Sequence, residues 1–136
     1  MTVFMDTSAF YAILDGEDKH HKTAASVWKY LLNNDIGLVT SGFVLVETFA
    51  LIQHRLGLPA LQGFYENIYP LLFVEWTDES DFQAGAASVL SAQRRDLSLV
   101  DCVSFILMRR LGIHSVFSFD KHFSEQGFEE ISERMR

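Results

Sequence analysis

Two β-prone apolar runs in this sequence stop at an aspartate, TVFM at Asp6 and SVFSF at Asp120. Two further carboxylates interrupt apolar stretches, Glu47 in FVLVETFALI and Asp101 in LSLVDCVSFILM. The aspartates have an ordinary structural explanation. An aspartate between a strand and a helix accepts hydrogen bonds from the first backbone N–H groups of that helix. Ser98-x-x-Asp101 likewise has the spacing of a capping box. Capping does not explain Glu47, which falls well inside a helical stretch with Phe43 and Leu51 on its own face. A charge among apolar neighbours is costly unless it is paired or bound to a metal. Its structural alternative is a glutamate at the surface edge, or an ion pair with Arg55 or another base. Carboxylates gathered in one place repel one another and take up protons unless a divalent cation neutralises them. All-oxygen ligation suits Mg2+ or Mn2+. Such ions acidify bound water and stabilise a leaving oxygen, the requirements of phosphodiester hydrolysis.

The order of elements is what would gather these acids. TVFM reads as a first strand ending at Asp6, and TSAFYAIL as a helical turn or two before the polar loop DGEDKHHK. Ala24, Val27, Trp28, Leu31 and Leu32 give residues 22 to 33 the spacing of a helix with one buried stripe. Residues 37 to 40 form a second strand. Residues 43 to 56 form a helix stopped by Gly57, with Pro59 just beyond and a further helix over 60 to 68. LLFVEW at 71 to 76 is a third strand, followed by a helix capped by Thr77 or Asp78 that runs through Ala84, Ala87 and Leu90. The most apolar helix covers 98 to 111 and closes at Gly112; HSVFSF is a fourth strand ending at Asp120, and 128 to 131 a short fifth. Strands alternating with helices predict an α/β fold, a three-layer α/β/α sandwich around a central parallel sheet of four to five strands. Ligands of such sheets bind beyond the carboxyl ends of the strands. Asp6, Glu47, Asp101 and Asp120 all fall at that edge, at strand ends or in the first two turns of the helices that leave it.

Length and composition set the frame. The chain has 136 residues, 49% hydrophobic and 21% charged, which fits one globular domain over residues 1 to 136 and excludes disorder. No apolar run approaches the ~18 residues of a membrane span. The start MTVFMD lacks the basic-then-apolar pattern of a signal peptide, so a cytoplasmic protein with no membrane partner is expected. The single cysteine, Cys102, excludes an intramolecular disulfide and a cysteine-rich zinc cluster. A net charge of -7 disfavours attachment to nucleic acid through a broad basic surface, while leaving room for a local basic patch.

Four motifs in the same order carry a family likeness: MDTSAF with Asp6 and Ser8, LVETFA with Glu47, LSLVDCVSF with Asp101, and FSFDKHF with Asp120. Over its whole length the chain resembles the PIN-domain ribonucleases, especially the VapC-type toxins of bacterial and archaeal toxin–antitoxin pairs. The resemblance implies a metal-dependent endoribonuclease acting on RNA. In it Asp6, Glu47, Asp101 and Asp120 would be catalytic and would ligate one or two Mg2+ or Mn2+ ions. Ser8 would support them through a hydroxyl or water contact. The expected partners are RNA, a small antitoxin protein and a second copy in a homodimer. Cys102 stands where the family commonly has a small residue such as alanine, a departure that leaves the acidic set untouched.

Other residues have plainer readings. Lys19, His20, His21 and Lys22 read as a solvated loop and receive no role. Lys121 and His122 suit phosphate contacts or the start of a surface helix equally well, as do Arg94 and Arg95. Phe43, Phe49, Phe64, Tyr65 and Tyr69 are most simply core, although so aromatic a chain also has the means to expose an apolar groove for a partner. A haloacid-dehalogenase-type phosphatase needs a second acid two residues after the first, where Ser8 stands. A response-regulator receiver needs adjacent acids after strand one, but Met5 precedes Asp6, and Glu75 lies within strand three. The remaining rival is a noncatalytic member of the same fold serving as a binding or scaffold module. Metal-dependent RNA cleavage separates it from the enzyme.

Overall fold

Residues Thr2–Met5 and Gly37–Ser41 are largely buried runs that each give way to a helix capped by a polar side chain, Asp6 accepting from the Ser8 N–H and Ser41 Oγ from the Val44 N–H. The structure, a computed structural model, describes residues 1–134, with side chains for 1–132. Its elements are β1 (Thr2–Met5), α1 (Thr7–Leu14), α2 (His21–Asn33), β2 (Gly37–Ser41), α3 (Gly42–Arg55) and α4 (Leu58–Gly63). There follow β3 (Phe73–Glu75), α5 (Glu79–Ala92), α6 (Leu99–Leu111), β4 (Ser115–Phe117), α7 (His122–Glu125), β5 (Glu129–Glu130) and α8 (Ile131–Arg134). All strand pairs are parallel, in the order β3-β2-β1-β4-β5. Helices flank the sheet on both faces, the three-layer α/β/α arrangement. Among the described residues no helix is long and apolar enough to cross a membrane.

The topology explains where a ligand goes. The chain leaves β1 toward β2 on one side and later returns to pair β4 on the other, so strand order reverses between β1 and β4. That switch point opens a crevice at the carboxyl ends of these two strands. β1 is its rigid floor, because Val3, Phe4 and Met5 are fully buried, Val3 and Phe4 pairing with both neighbouring strands and Met5 with β4. Phe10, Phe64, Phe117 and Phe123, all fully buried, fill the layers around it. Apolar burial of this kind is the main stabilising term, each large side chain contributing ~1.5–3 kcal/mol.

Several elements differ from the sequence reading. The expected helix over 60–68 begins earlier, with Pro59 inside the first turn of α4, where its missing N–H costs nothing. The chain then widens into a π turn at Phe64–Ile68 and tightens into a 3-10 turn at Tyr69–Leu71, which Pro70 enters. Strand three is confined to Phe73–Glu75 and the fifth strand to two residues. Strand four stops at Phe117, so Asp120 does not sit at a strand end as expected. Ser118 and Phe119 leave the ladder because their polar groups find partners outside it. The Asp120 N–H donates to Ser118 Oγ (2.9 Å), and the Phe119 N–H to Ser8 Oγ (2.9 Å).

Candidate metal centre

Asp6 follows β1 directly and caps α1, accepting from the Ser8 N–H at 3.3 Å. The same oxygen, Oδ2, also accepts from the hydroxyls of Ser8 (2.7 Å) and Ser118 (3.0 Å). Capping therefore describes Asp6 correctly but incompletely. Each serine hydroxyl in turn accepts a backbone N–H from the segment after β4, so the two stitch the ends of β1 and β4 together. All donors converge on Oδ2; Oδ1 accepts none and stays open to solvent. The Asp6 residue is only 4% exposed. Burial raises its pKa from 3.8 to about 6, against the Ser8 and Ser118 hydrogen bonds and with the help of negative charge on Asp101 and Glu47.

That displacement has a direction that unfolding measures. Because the folded-state pKa lies above the unfolded one, folding favours the protonated acid. Its contribution is complete below 3.8 and is lost as pH rises through about 6. The difference corresponds to ~3 kcal/mol. In chelator, urea unfolding should show Asp6→Asn gaining about that much on wild type between pH 4 and pH 7. A stability gap independent of pH would contradict the burial account.

Asp101 occupies the first turn of α6 and forms the capping box its spacing suggested: Ser98 Oγ accepts from the Asp101 N–H (3.0 Å), and Asp101 Oδ2 from the Ser98 N–H (3.2 Å). Its Oδ1 accepts nothing and is open. Burial raises the Asp101 carboxyl above its ordinary value; the Ser98 hydrogen bonds oppose this, the Asp120 charge adds to it and His122 counters it.

Asp120 is half-buried, and its Oδ1 accepts from the His122 N–H (3.0 Å) and faces His122 Nδ1 at 3.1 Å. Oδ2 is left free. The His122 ring is 5% exposed, with Nε2 3.0 Å from the Asp96 carbonyl oxygen. Its ring thus faces an acceptor at each nitrogen, and it is not the surface phosphate contact that the sequence allowed. Potential ligand atoms of Asp101, Asp120 and His122 lie within 4.8 Å of one another. His122 was missed as a member of this group. The sequence signal is its position two residues after Asp120, where an aspartate turn folds the ring back onto the carboxylate.

Glu47 lies in the second turn of α3. Thr48 Oγ1 donates to Thr7 Oγ1 (3.1 Å), which fastens α3 to the first turn of α1 and brings Glu47 within electrostatic reach of Asp6. It is half-buried, less than its sequence neighbours suggested, because α3 turns Val44, Leu45, Thr48 and Ile52 to the core and leaves Phe43, Glu47 and Leu51 at the margin. The alternative of an ion pair with Arg55 does not form; that guanidinium lies over the Tyr11 ring, 5.6 Å from its centroid. Among the described residues Glu47 has no hydrogen bond or ion pair. Four carboxylates thus keep oxygens that no protein donor claims: Oδ1 of Asp6 and Asp101, Oδ2 of Asp120, and the Glu47 carboxylate; Asp101 and Asp120 come within ligand distance of each other, while Asp6 is coupled to Asp101 and Glu47 through its charge. Hard oxygen donors with unfilled lone pairs and accumulated negative charge fit a divalent cation of the Mg2+ or Mn2+ kind. Arg94 is spent elsewhere, on Asp96 and Glu125.

Comparison with known proteins identifies the family. A family model described as PIN domain matches residues 3–129. The 23S rRNA-specific endonuclease VapC20 of Mycobacterium tuberculosis, in strains CDC 1551 / Oshkosh and ATCC 25618 / H37Rv, is 30% identical over 130 residues, covering 95% of this chain and 97% of the relative. The crystal structure of M. tuberculosis VapC20, described as a sarcin–ricin loop cleaving toxin, superposes with a TM-score of 0.82 at 30% identity, covering 95% of this chain and 98% of that one. With a family match across nearly its whole length and a VapC relative aligned end to end, the chain belongs to the PIN domain family.

Proposed function

We propose that this protein is a metal-dependent endoribonuclease and the toxin of a toxin–antitoxin pair, acting as one PIN-like domain over residues 1 to 136. The observation that carries the reading is the set of unclaimed carboxylate oxygens at the β1–β4 crevice, with Asp6 driven up to about 6 by burial and like charge. Asp6, Glu47, Asp101 and Asp120 would hold Mg2+ or Mn2+. When bound, the cation supplies an acidified water and charge neutralisation at the scissile phosphate. The rest is done by the chain. Ser8 and Ser118 hold Asp6 by one oxygen and leave the other free; Ser98 does the same for Asp101, and His122 for Asp120. Fixing each ligand before substrate arrives removes reorganisation from the chemical step. Because Asp6 must be ionised to ligate, metal affinity rises with pH through its titration. The similarity to VapC20 makes 23S rRNA the first substrate to test.

An unrestrained ribonuclease harms its own cell, so a small antitoxin belongs to the reading. An apolar groove of about 450 Å3 supports it, lined by Val46 and Phe49 of α3, Tyr65 and Tyr69 of the turns after α4, and Trp76 just after β3. Trp76 is 66% exposed there and Val46 68%. A second apolar face, with Phe82, Leu90 and Leu99 on α5 and α6, is the surface we assign to a homodimer. A cytoplasmic location completes the proposal. Expression of the chain alone is expected to arrest growth, while Asp6→Asn at matched protein level permits it. Equal growth of the two cultures would contradict the toxin reading.

A further inference from the structure

We propose that the groove beside the carboxylates binds the RNA nucleotide next to the scissile phosphate: Lys19, Arg55 and Lys121 take backbone phosphates, and the His20–Phe119 ring pair stacks the base. The proposal rests on the ribonuclease reading and deepens it. The groove encloses about 550 Å3, within the range of small-ligand sites. Ser8 and Asp120 are among its lining residues, so it adjoins the candidate metal centre.

Charge is the first argument. The chain carries a net charge of -7, and Arg94 and Arg110 are both tied to carboxylates. Lys19, Arg55 and Lys121 come from three separate segments, yet all line this one groove; none has an ion pair among the described residues, and Arg55 is held over the Tyr11 ring and within reach of the Asp15 charge. Asp18 lines it too, but its Oδ1 is occupied by the His20 N–H at 2.8 Å. Cations left unpaired beside a carboxylate cluster, with neither collapsing onto the other, suit a polyanion that spans both. Each phosphate contact neutralises one backbone charge.

Ring geometry is the second argument. His20 and Phe119 stack with centroids 4.4 Å apart and planes 8° from parallel. This flat pair is fixed relative to Asp6, because the Phe119 N–H donates to Ser8 Oγ, whose hydroxyl donates to Asp6. The His20 ring makes no hydrogen bond among the described residues, so its nitrogens remain available to a base edge. A base can extend such a stack only after leaving its own helix, which predicts a preference for looped or single-stranded RNA.

The test separates binding from cleavage. In an Asp101→Asn background, fluorescence anisotropy with a labelled single-stranded RNA reads affinity without turnover. His20→Ala is expected to weaken binding about 5- to 100-fold with an unchanged salt slope. Arg55→Gln combined with Lys121→Gln should weaken it and lower the slope of log K against log salt by about 1.4. Lys29→Gln, an exposed lysine on α2 outside the groove, serves as the control and should bind as the background does. Phe119→Leu, checked for folding by circular dichroism, tests the platform from its other ring. If wild type cuts RNA but the His20 and Arg55/Lys121 variants bind like the control, the groove assignment is overturned and the ribonuclease reading stands. If wild type neither binds nor cuts RNA, both are overturned.

Discussion

Asp6→Asn is expected to lower RNA cleavage by roughly 10²- to 10³-fold at saturating Mn2+, the cost of one lost charge contact of ~3–4 kcal/mol in the transition state. The substitution suits the purpose because the amide keeps the shape of the carboxylate. Its carbonyl oxygen can go on accepting from Ser8 and Ser118, while an NH2 group replaces the free Oδ1. The fold is therefore retained, and above pH 6 the metal-free variant should be more stable than wild type. Single-turnover kinetics against RNA measure the rate, and unfolding in chelator measures the stability. A variant that cleaves at the wild-type rate in equal metal removes Asp6 from the site.

His122→Ala should do damage of a different kind. The ring is buried, and its loss leaves Asp120 Oδ1 and the Asp96 carbonyl without their side-chain partner, a cost of ~2–3 kcal/mol with the cavity included. Asp120 is then held only by the backbone N–H of position 122. Removing the group that orients a metal ligand typically weakens affinity or activity by ~10- to 100-fold. Mn2+ titration at a temperature where the variant remains folded gives the decisive readout. A lower unfolding temperature with unchanged Mn2+ affinity and unchanged kcat would make His122 a purely structural residue.

How much of this was legible in the sequence depended on the range of the interactions. β1, α1 and the capping box at Ser98 follow from local pattern, and Asp6 and Asp101 were found through it. The helix over 60–68 and the core placement of Phe64 were legible, but not the widened turn at Phe64–Ile68, which no local residue pattern marks. SVFSF reads as one strand to Phe119; the chain leaves the sheet two residues earlier because Ser8 and Ser118 offer hydrogen bonds across more than a hundred residues of sequence. Glu47 was recognised by its apolar neighbours, yet Phe43 and Leu51 are themselves at the margin of the core. The burial of His122 comes from Asp96, in a distant loop, and no local pattern encodes that. The groove was invisible for the same reason, since Lys19, Arg55 and Lys121 meet only when the chain is folded.

The central claim, that the carboxylates at the β1–β4 crevice hold a divalent cation for RNA hydrolysis, is tested most directly by following a purified sample with end-labelled 23S rRNA fragments in Mn2+ or Mg2+, in chelator, and after metal is restored. The account predicts internal cleavage with metal, none in chelator, and recovery when the cation returns in excess, with Asp6→Asn slower by roughly 10²- to 10³-fold whenever metal is present. Undiminished cleavage in chelator, or equal cleavage by Asp6→Asn, would contradict it.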